Sequence, residues 1–201
     1  MTTIAVLLTA LLAAVPVWGQ SALPSGGGYQ PITVRQRVQW FEASTIGPHS
    51  LLGGTMGAAF STALNRPPEY EETWAGFGKR YGMRMTGVAT SNMMEASLGA
   101  LWGEDPRYFR ASPGSPLKGR VWNVVKMTFV AKNSLGENVP AFSRYLSIYG
   151  SNYLSNTWRP DGDSGSSDGA TRAGMGFVGR MAGNAFHEFW PDAKRKVFRR
   201  K

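Results

Sequence analysis

The chain has no cysteine and only two histidines among its 201 residues. Without cysteine there is no disulfide framework, no thiolate nucleophile and no thiolate metal site. Familiar catalytic signatures are missing too. Neither a G-x-S-x-G elbow nor a G-x-x-x-x-G-K-[ST] loop occurs, and Gly76-x-Gly78 opens a helix instead of following a strand, which excludes a dinucleotide fingerprint. His187-Glu188 with Asp192 offers three ligand-type side chains, but the order is not H-E-x-x-H and Pro191 interrupts them. Long leucine-dense runs are also absent. Ile46–Leu64 carries no Lys, Arg, Asp or Glu and Thr86–Gly103 carries only Glu95, yet both are rich in Gly, Ser, Thr and Asn. A soluble or peripheral bundle and an integral one both fit this composition.

Acid is scarce, and the net charge is +9. Lys194, Arg195, Lys196, Arg199, Arg200 and Lys201 supply six of those charges from the last eight positions, leaving +3 for the rest of the chain. The excess is therefore a basic tail (193–201) and not a nucleic-acid-binding face; a membrane surface or anionic lipid is the partner it suits, a solvated end being the plain alternative. At the other end, Ile4–Val15 is apolar or small apart from Thr9, stops at Pro16, and is too short to span a bilayer. With Val17 and Gly19 as small residues before Gln20, it reads as a signal peptide over 1–19, although no Lys or Arg precedes it. A retained anchor or a buried segment are the alternatives. Residues 20–30 are a Gly/Ser/Pro leader, and 31–192 make one domain. The expected location is the periplasm or cell envelope.

The strongest pattern present is a four-residue spacing of small residues. It runs through Gly53, Gly57 and Ser61, through Gly78, Gly82, Thr86 and Thr90, through Ser143, Ser147, Ser151 and Ser155, and through Gly179 and Gly183. Residues four apart share a helix face, so each run predicts a seam where another backbone approaches closely. Tyr145, Tyr149 and Tyr153 repeat the spacing two positions out of phase with the serines and so lie on the opposite face. Helix periodicity dominates, with almost no strand alternation. Expected helices cover Val34–Ser44, Pro48–Leu64, Glu71–Trp102, about Pro116–Lys132, Val139–Trp158 and Ala170–Trp190. Ser167 or Asp168 caps the last of these, and Pro191 ends it. The expected fold is an all-α compact bundle of five or six helices with small-xxx-small packing faces, able to form a homo-oligomer.

Glu95 lies among Met93, Met94, Ala96 and Leu98, so a buried carboxylate is expected there, one that needs a partner or a proton. Arg107 and, less directly, Arg84 are the candidates. Asp105-Pro106 reads as a cap-and-restart pair, with Arg107 placed to hold helix carbonyls.

The segment Gly103-Glu104-Asp105-Pro106-Arg107-Tyr108-Phe109 resembles that of an uncharacterised family of exported, acidobacterial-type helical proteins. Trp74–Gly82 and Glu188–Asp192 extend the resemblance to about 31–192. The resemblance implies no activity, cofactor or partner. No catalytic, cofactor-binding or metal residue is assigned, and the expectation is a non-enzymatic envelope protein associated with a membrane or an assembly. The alternative is an envelope hydrolase or metal-dependent enzyme using His187, Glu188 or Glu95.

Overall fold

The computed structural model describes residues 29–198, the side chains of 197 and 198 excepted. The export segment, most of the leader and Arg199–Lys201 lie outside the described residues. The fold is all-α. Among the described residues six α-helices, α1 (Val34–Ile46), α2 (Pro48–Ala63), α3 (Trp74–Trp102), α4 (Leu117–Phe129), α5 (Phe142–Leu154) and α6 (Ser166–Phe198), are joined by short 3₁₀ turns and one small hairpin.

Local chemistry sets most of the boundaries. Thr33 and Gln36 form a reciprocal capping box at the start of α1. Pro48 occupies the first turn of α2, and the Thr73 hydroxyl accepts the Gly76 amide at the start of α3. Gly103 ends α3 at φ 74°, the left-handed conformation that glycine adopts without a Cβ clash.

Several expected helix bounds need correction, among them the fifth helix, which spans Phe142–Leu154 and not Val139–Trp158. The fourth helix stops at Phe129, and Val130–Lys132 (β1) instead pairs antiparallel with Asn138–Pro140 (β2). The last helix begins at Ser166, where the Asp168 carboxylate reaches back to the Gly165 amide at 3.1 Å. It also runs through Pro191 to Phe198, so the basic tail starts as helix. Proline removes one intrahelical donor and crowds the carbonyl four residues back. Here the disturbed turn is held from outside, because Arg110 and Arg120 donate to the Glu188 carbonyl at 2.9 and 2.7 Å.

The helices form two groups, α1–α3 and α4–α6, joined mainly where α3 packs along α5. The serine ladder lies on a buried face of α5, and its first member, Ser143, sits at that joint. Ser143, Ser147, Ser151 and Ser155 are all at most 2% exposed, while Tyr149 and Tyr153 on the other face are open to solvent. A Cβ on Gly99 would lie 3.5 Å from the Ser143 hydroxyl, and one on Gly150 would lie 2.7 Å from the Met94 methyl.

The glycine ladders are different, and the predicted seams are absent there. A Cβ added to Gly53, Gly78, Gly82, Gly179 or Gly183 meets no other side chain or neighbouring helix within 4 Å, and at Gly57 the nearest group it meets is the Arg84 guanidinium, at 3.0 Å. Four-residue spacing guarantees a shared face, but it does not guarantee that anything covers that face. Gly76 is where backbone does come close, since a Cβ would sit 2.0 Å from the Tyr70 carbonyl oxygen.

Polar side chains dominate the buried set. Among the described residues seven apolar side chains are buried against fourteen polar or charged ones, and Arg144 and Glu188 are among the largest fully buried groups. Leu52, Met56, Phe60 and Leu64, by contrast, form an exposed ridge along α2, and Phe142, Leu146, Tyr149 and Tyr153 an exposed stripe along α5. Scattered exposed apolar residues are ordinary; buried charges and continuous apolar stripes are not.

Candidate functional site

Glu95 is 3% exposed, as a buried acid on that helix face should be, but neither expected partner reaches it. Its Oε1 accepts Arg144 Nε at 2.9 Å and Arg180 Nη2 at 2.7 Å. Arg144 also donates to the Met127, Thr128 and Val130 carbonyls, and Arg180 to the Pro106 carbonyl. The Arg180 guanidinium lies 5.5 Å from the Trp40 ring centre. Burial pulls the Arg180 pKa down to about 10, the Glu95 charge working against that fall.

Asp105 does not cap a helix, because 104–116 is a loop. It is fully buried, accepts the Arg107 amide and guanidinium, and holds the Tyr29 hydroxyl at 3.2 Å. Burial and the Asp105 charge push the Tyr29 phenol up to about 12. Arg107 therefore serves Asp105 and the Gln30 carbonyl instead of helix carbonyls, and Pro106 restarts nothing. Glu104, its neighbour, accepts both the amide and the hydroxyl of Ser143 at 2.9 and 2.6 Å, fixing the loop to α5.

His187, Glu188 and Asp192 do not converge on one point. Glu188 accepts Tyr108 Oη at 2.8 Å, Arg120 Nε at 2.8 Å and the Ala111 amide at 3.2 Å. Burial alone raises its pKa, but these donors outweigh it and hold the carboxyl below the ordinary range. Asp192 lies 2.6 Å from the same Arg120. His187 turns to His49, with ring centres 5.4 Å apart, and stacks on Tyr108. The two histidines of the chain thus meet across α2 and α6. Burial, reinforced by His49 and Arg180, lowers the His187 pKa to about 4, so both rings are neutral near pH 7. Among the described residues no three His, Asp or Glu side chains gather in a way that would hold a metal ion.

These clusters border an open groove of about 3220 Å³, lined by α2, α3, α6 and the 106–115 loop. Ligand pockets for small molecules usually span about 300–1,000 Å³, so this groove is larger than a single small-molecule pocket. Gly53, Gly57, Gly179 and Gly183 lie on its walls. The uncovered glycine faces therefore border open space.

Comparisons with protein-family models, with characterised proteins and with solved structures gave no match. The sequence reading missed Arg144, Arg180, Arg120 and Tyr108. A signal existed for two of them: Arg144 is the only charge between Glu137 and Arg159, and Arg180 the only one between Arg172 and Glu188. A lone cation in an uncharged helical stretch needs a partner from elsewhere, as a lone carboxylate does.

Proposed function

We propose that this is a non-enzymatic, exported protein of the cell envelope that attaches to a membrane face through its exposed apolar helices and basic tail. The observation that carries the reading is the inverted distribution of side chains: charges paired inside, apolar stripes on α2 and α5 outside. Exposed Trp74 and Trp102 at the two ends of α3 add side chains that favour a lipid–water interface. No described helix is long and apolar enough to cross a membrane, so the attachment proposed is lateral. A homo-oligomer that covers the same stripes is the assembly form of the same reading. The hydrolase alternative draws less support, because Glu95 and Glu188 are already committed to arginines and a tyrosine.

Flotation of the purified full chain with vesicles, together with a carbonate wash of host membranes, tests this. Co-flotation with phosphatidylglycerol vesicles and release by carbonate is the expected result. A chain that stays monomeric and at the bottom of the gradient at low salt refutes it.

A further inference from the structure

The sequence places the excess positive charge in the tail, but the fold gathers most of what is described on one concave face. Eleven lysines and arginines line the groove against six aspartates and glutamates, a balance of +5. The described residues together hold nineteen lysines and arginines and thirteen acids, a balance of +6, which leaves +1 for everything off the groove. The acids on the wall are largely spent, since Glu95, Asp163, Glu188 and Asp192 are each paired with arginine. Arg66, Arg84 and Lys194 are exposed on the same wall and enter no ion pair among the described residues. Arg110 is exposed as well, its guanidinium held by the Glu188 carbonyl at 2.9 Å. Lys194 joins this wall from the stretch of α6 that continues past Pro191. Like charges around one concavity add their fields there.

A positive field spread along a wall, with no single cation set apart, is the complement of a chain that repeats its negative charge. The wall also offers flat rings. Phe186 is 41% exposed and stacks on Trp190 with ring centres 5.0 Å apart, and Tyr108 stacks on the neighbouring His187. Such rings can lie against the apolar C–H face of a sugar while guanidiniums take its carboxylates in bidentate pairs. From this charge complementarity we infer that the groove binds an acidic polysaccharide, an extended glycan with uronate carboxylates, across Arg66, Arg84, Arg110 and Lys194. Single-stranded nucleic acid also combines negative charge with flat rings, but an exported protein meets glycans first. The inference rests on the envelope reading and gives that protein a ligand, without using the apolar stripe of α5.

The test uses the purified full chain and titration calorimetry with three probes of matched length: oligoguluronate, neutral maltodextrin and oligothymidylate. The wild type should bind oligoguluronate at least about tenfold more tightly than maltodextrin, and that affinity should fall about tenfold or more between about 50 and 200 mM salt. Two triple variants then remove the same charge from different places. Arg66→Gln, Arg84→Gln and Lys194→Gln together should weaken oligoguluronate binding at least about tenfold, the summed scale of three exposed contacts. Lys79→Gln, Lys118→Gln and Lys126→Gln, all exposed and off the groove, should change it less than about twofold. Equal weakening by the two triples overturns the inference, because binding would then follow net charge and not the groove. Equal wild-type affinity for the charged and neutral glycans overturns it too, and tighter binding of oligothymidylate removes the glycan as occupant. Circular dichroism checks that each triple folds; if the groove triple does not, Arg66→Gln and Arg84→Gln singly and the neutral-glycan comparison decide. Vesicle flotation separates the two levels: a chain that floats without glycan preference loses the groove site alone, and one that binds glycan without floating loses only the membrane reading.

Discussion

Replacing Glu95 by glutamine keeps the shape of the side chain and removes its charge. In the folded protein that leaves two guanidiniums, Arg144 and Arg180, without the one carboxylate they share. Glu95 and the Arg144 side chain are 3% and 2% exposed, so water cannot replace the lost counter-charge. Breaking a buried pair by removing one partner costs about 3–5 kcal/mol. A single anion serving two cations places Glu95→Gln toward the upper end of that range. With a urea m value of about 2 kcal/mol per M, the denaturation midpoint should fall by about 2 M. Arg180→Met should cost less, about 1–2 kcal/mol, because Glu95 keeps Arg144 and the Arg180 side chain is 19% exposed. Removing the whole cluster as Glu95→Leu, Arg144→Met and Arg180→Met should recover much of the loss, since no unpaired charge then stays buried. Urea denaturation followed by circular dichroism at pH 7 reads all three. A Glu95→Gln midpoint within about 0.3 M of wild type would refute the view that this carboxylate holds the two helix groups together.

Three further perturbations test separate parts of the structure by thermal or urea melts. Gly76→Ala should destabilise by about 1–3 kcal/mol, because its Cβ would meet the Tyr70 and Glu71 carbonyl oxygens at 2.0 and 2.3 Å, whereas Gly183→Leu should leave fold stability nearly unchanged. The reverse order would restore the glycine seam. Ser147→Leu should cost about 2 kcal/mol or more by forcing α5 off α3 at a fully buried position, and wild-type stability there would place the joint elsewhere. His187 is held neutral in the fold, with a pKa near 4 against about 6.5 when unfolded, so it stabilises fully above pH 6.5 and less as pH falls toward 4. Its share of the loss is at most about 3 kcal/mol, and His187→Gln should flatten the stability curve across that window; an unchanged slope would show that the ring is solvated.

Much of the fold was legible because proline and glycine mark boundaries that tertiary contacts rarely move. Pro48, Gly103 and Pro116 delimit helices as expected. Pro191 does not, because Arg110 and Arg120 arrive from distant parts of the chain to hold the Glu188 carbonyl, and nothing local announces them. The three-residue strand after Phe129 is too short to show alternation. The four serines are buried while the faces of the glycine ladders are open, although their spacing is the same. Serine hydroxyls can bond back to their own helix once buried, as Ser147 does to the Arg144 carbonyl at 2.9 Å. A glycine face is as compatible with an open groove as with a seam. For Glu95 the need for a partner was legible, but the partners were sought nearby in sequence, whereas Arg144 and Arg180 lie 49 and 85 positions away.

Arg80 departs from the pattern of the other buried charges. Its guanidinium is 4% exposed, and its hydrogen bonds run to the Arg66, Pro67 and Glu71 carbonyls and the Asn65 side-chain oxygen, with no carboxylate among them. Chain oxygens surround the cation much as a crown ether surrounds a metal ion. None of those oxygens can be neutralised by a proton, as a carboxylate partner can. Acid should therefore dismantle this protein in a fixed order. The joints that depend on carboxylates loosen first, and the corner from Asn65 to Arg80 persists as the last ordered fragment, with the slowest amide exchange in the acid-unfolding ensemble.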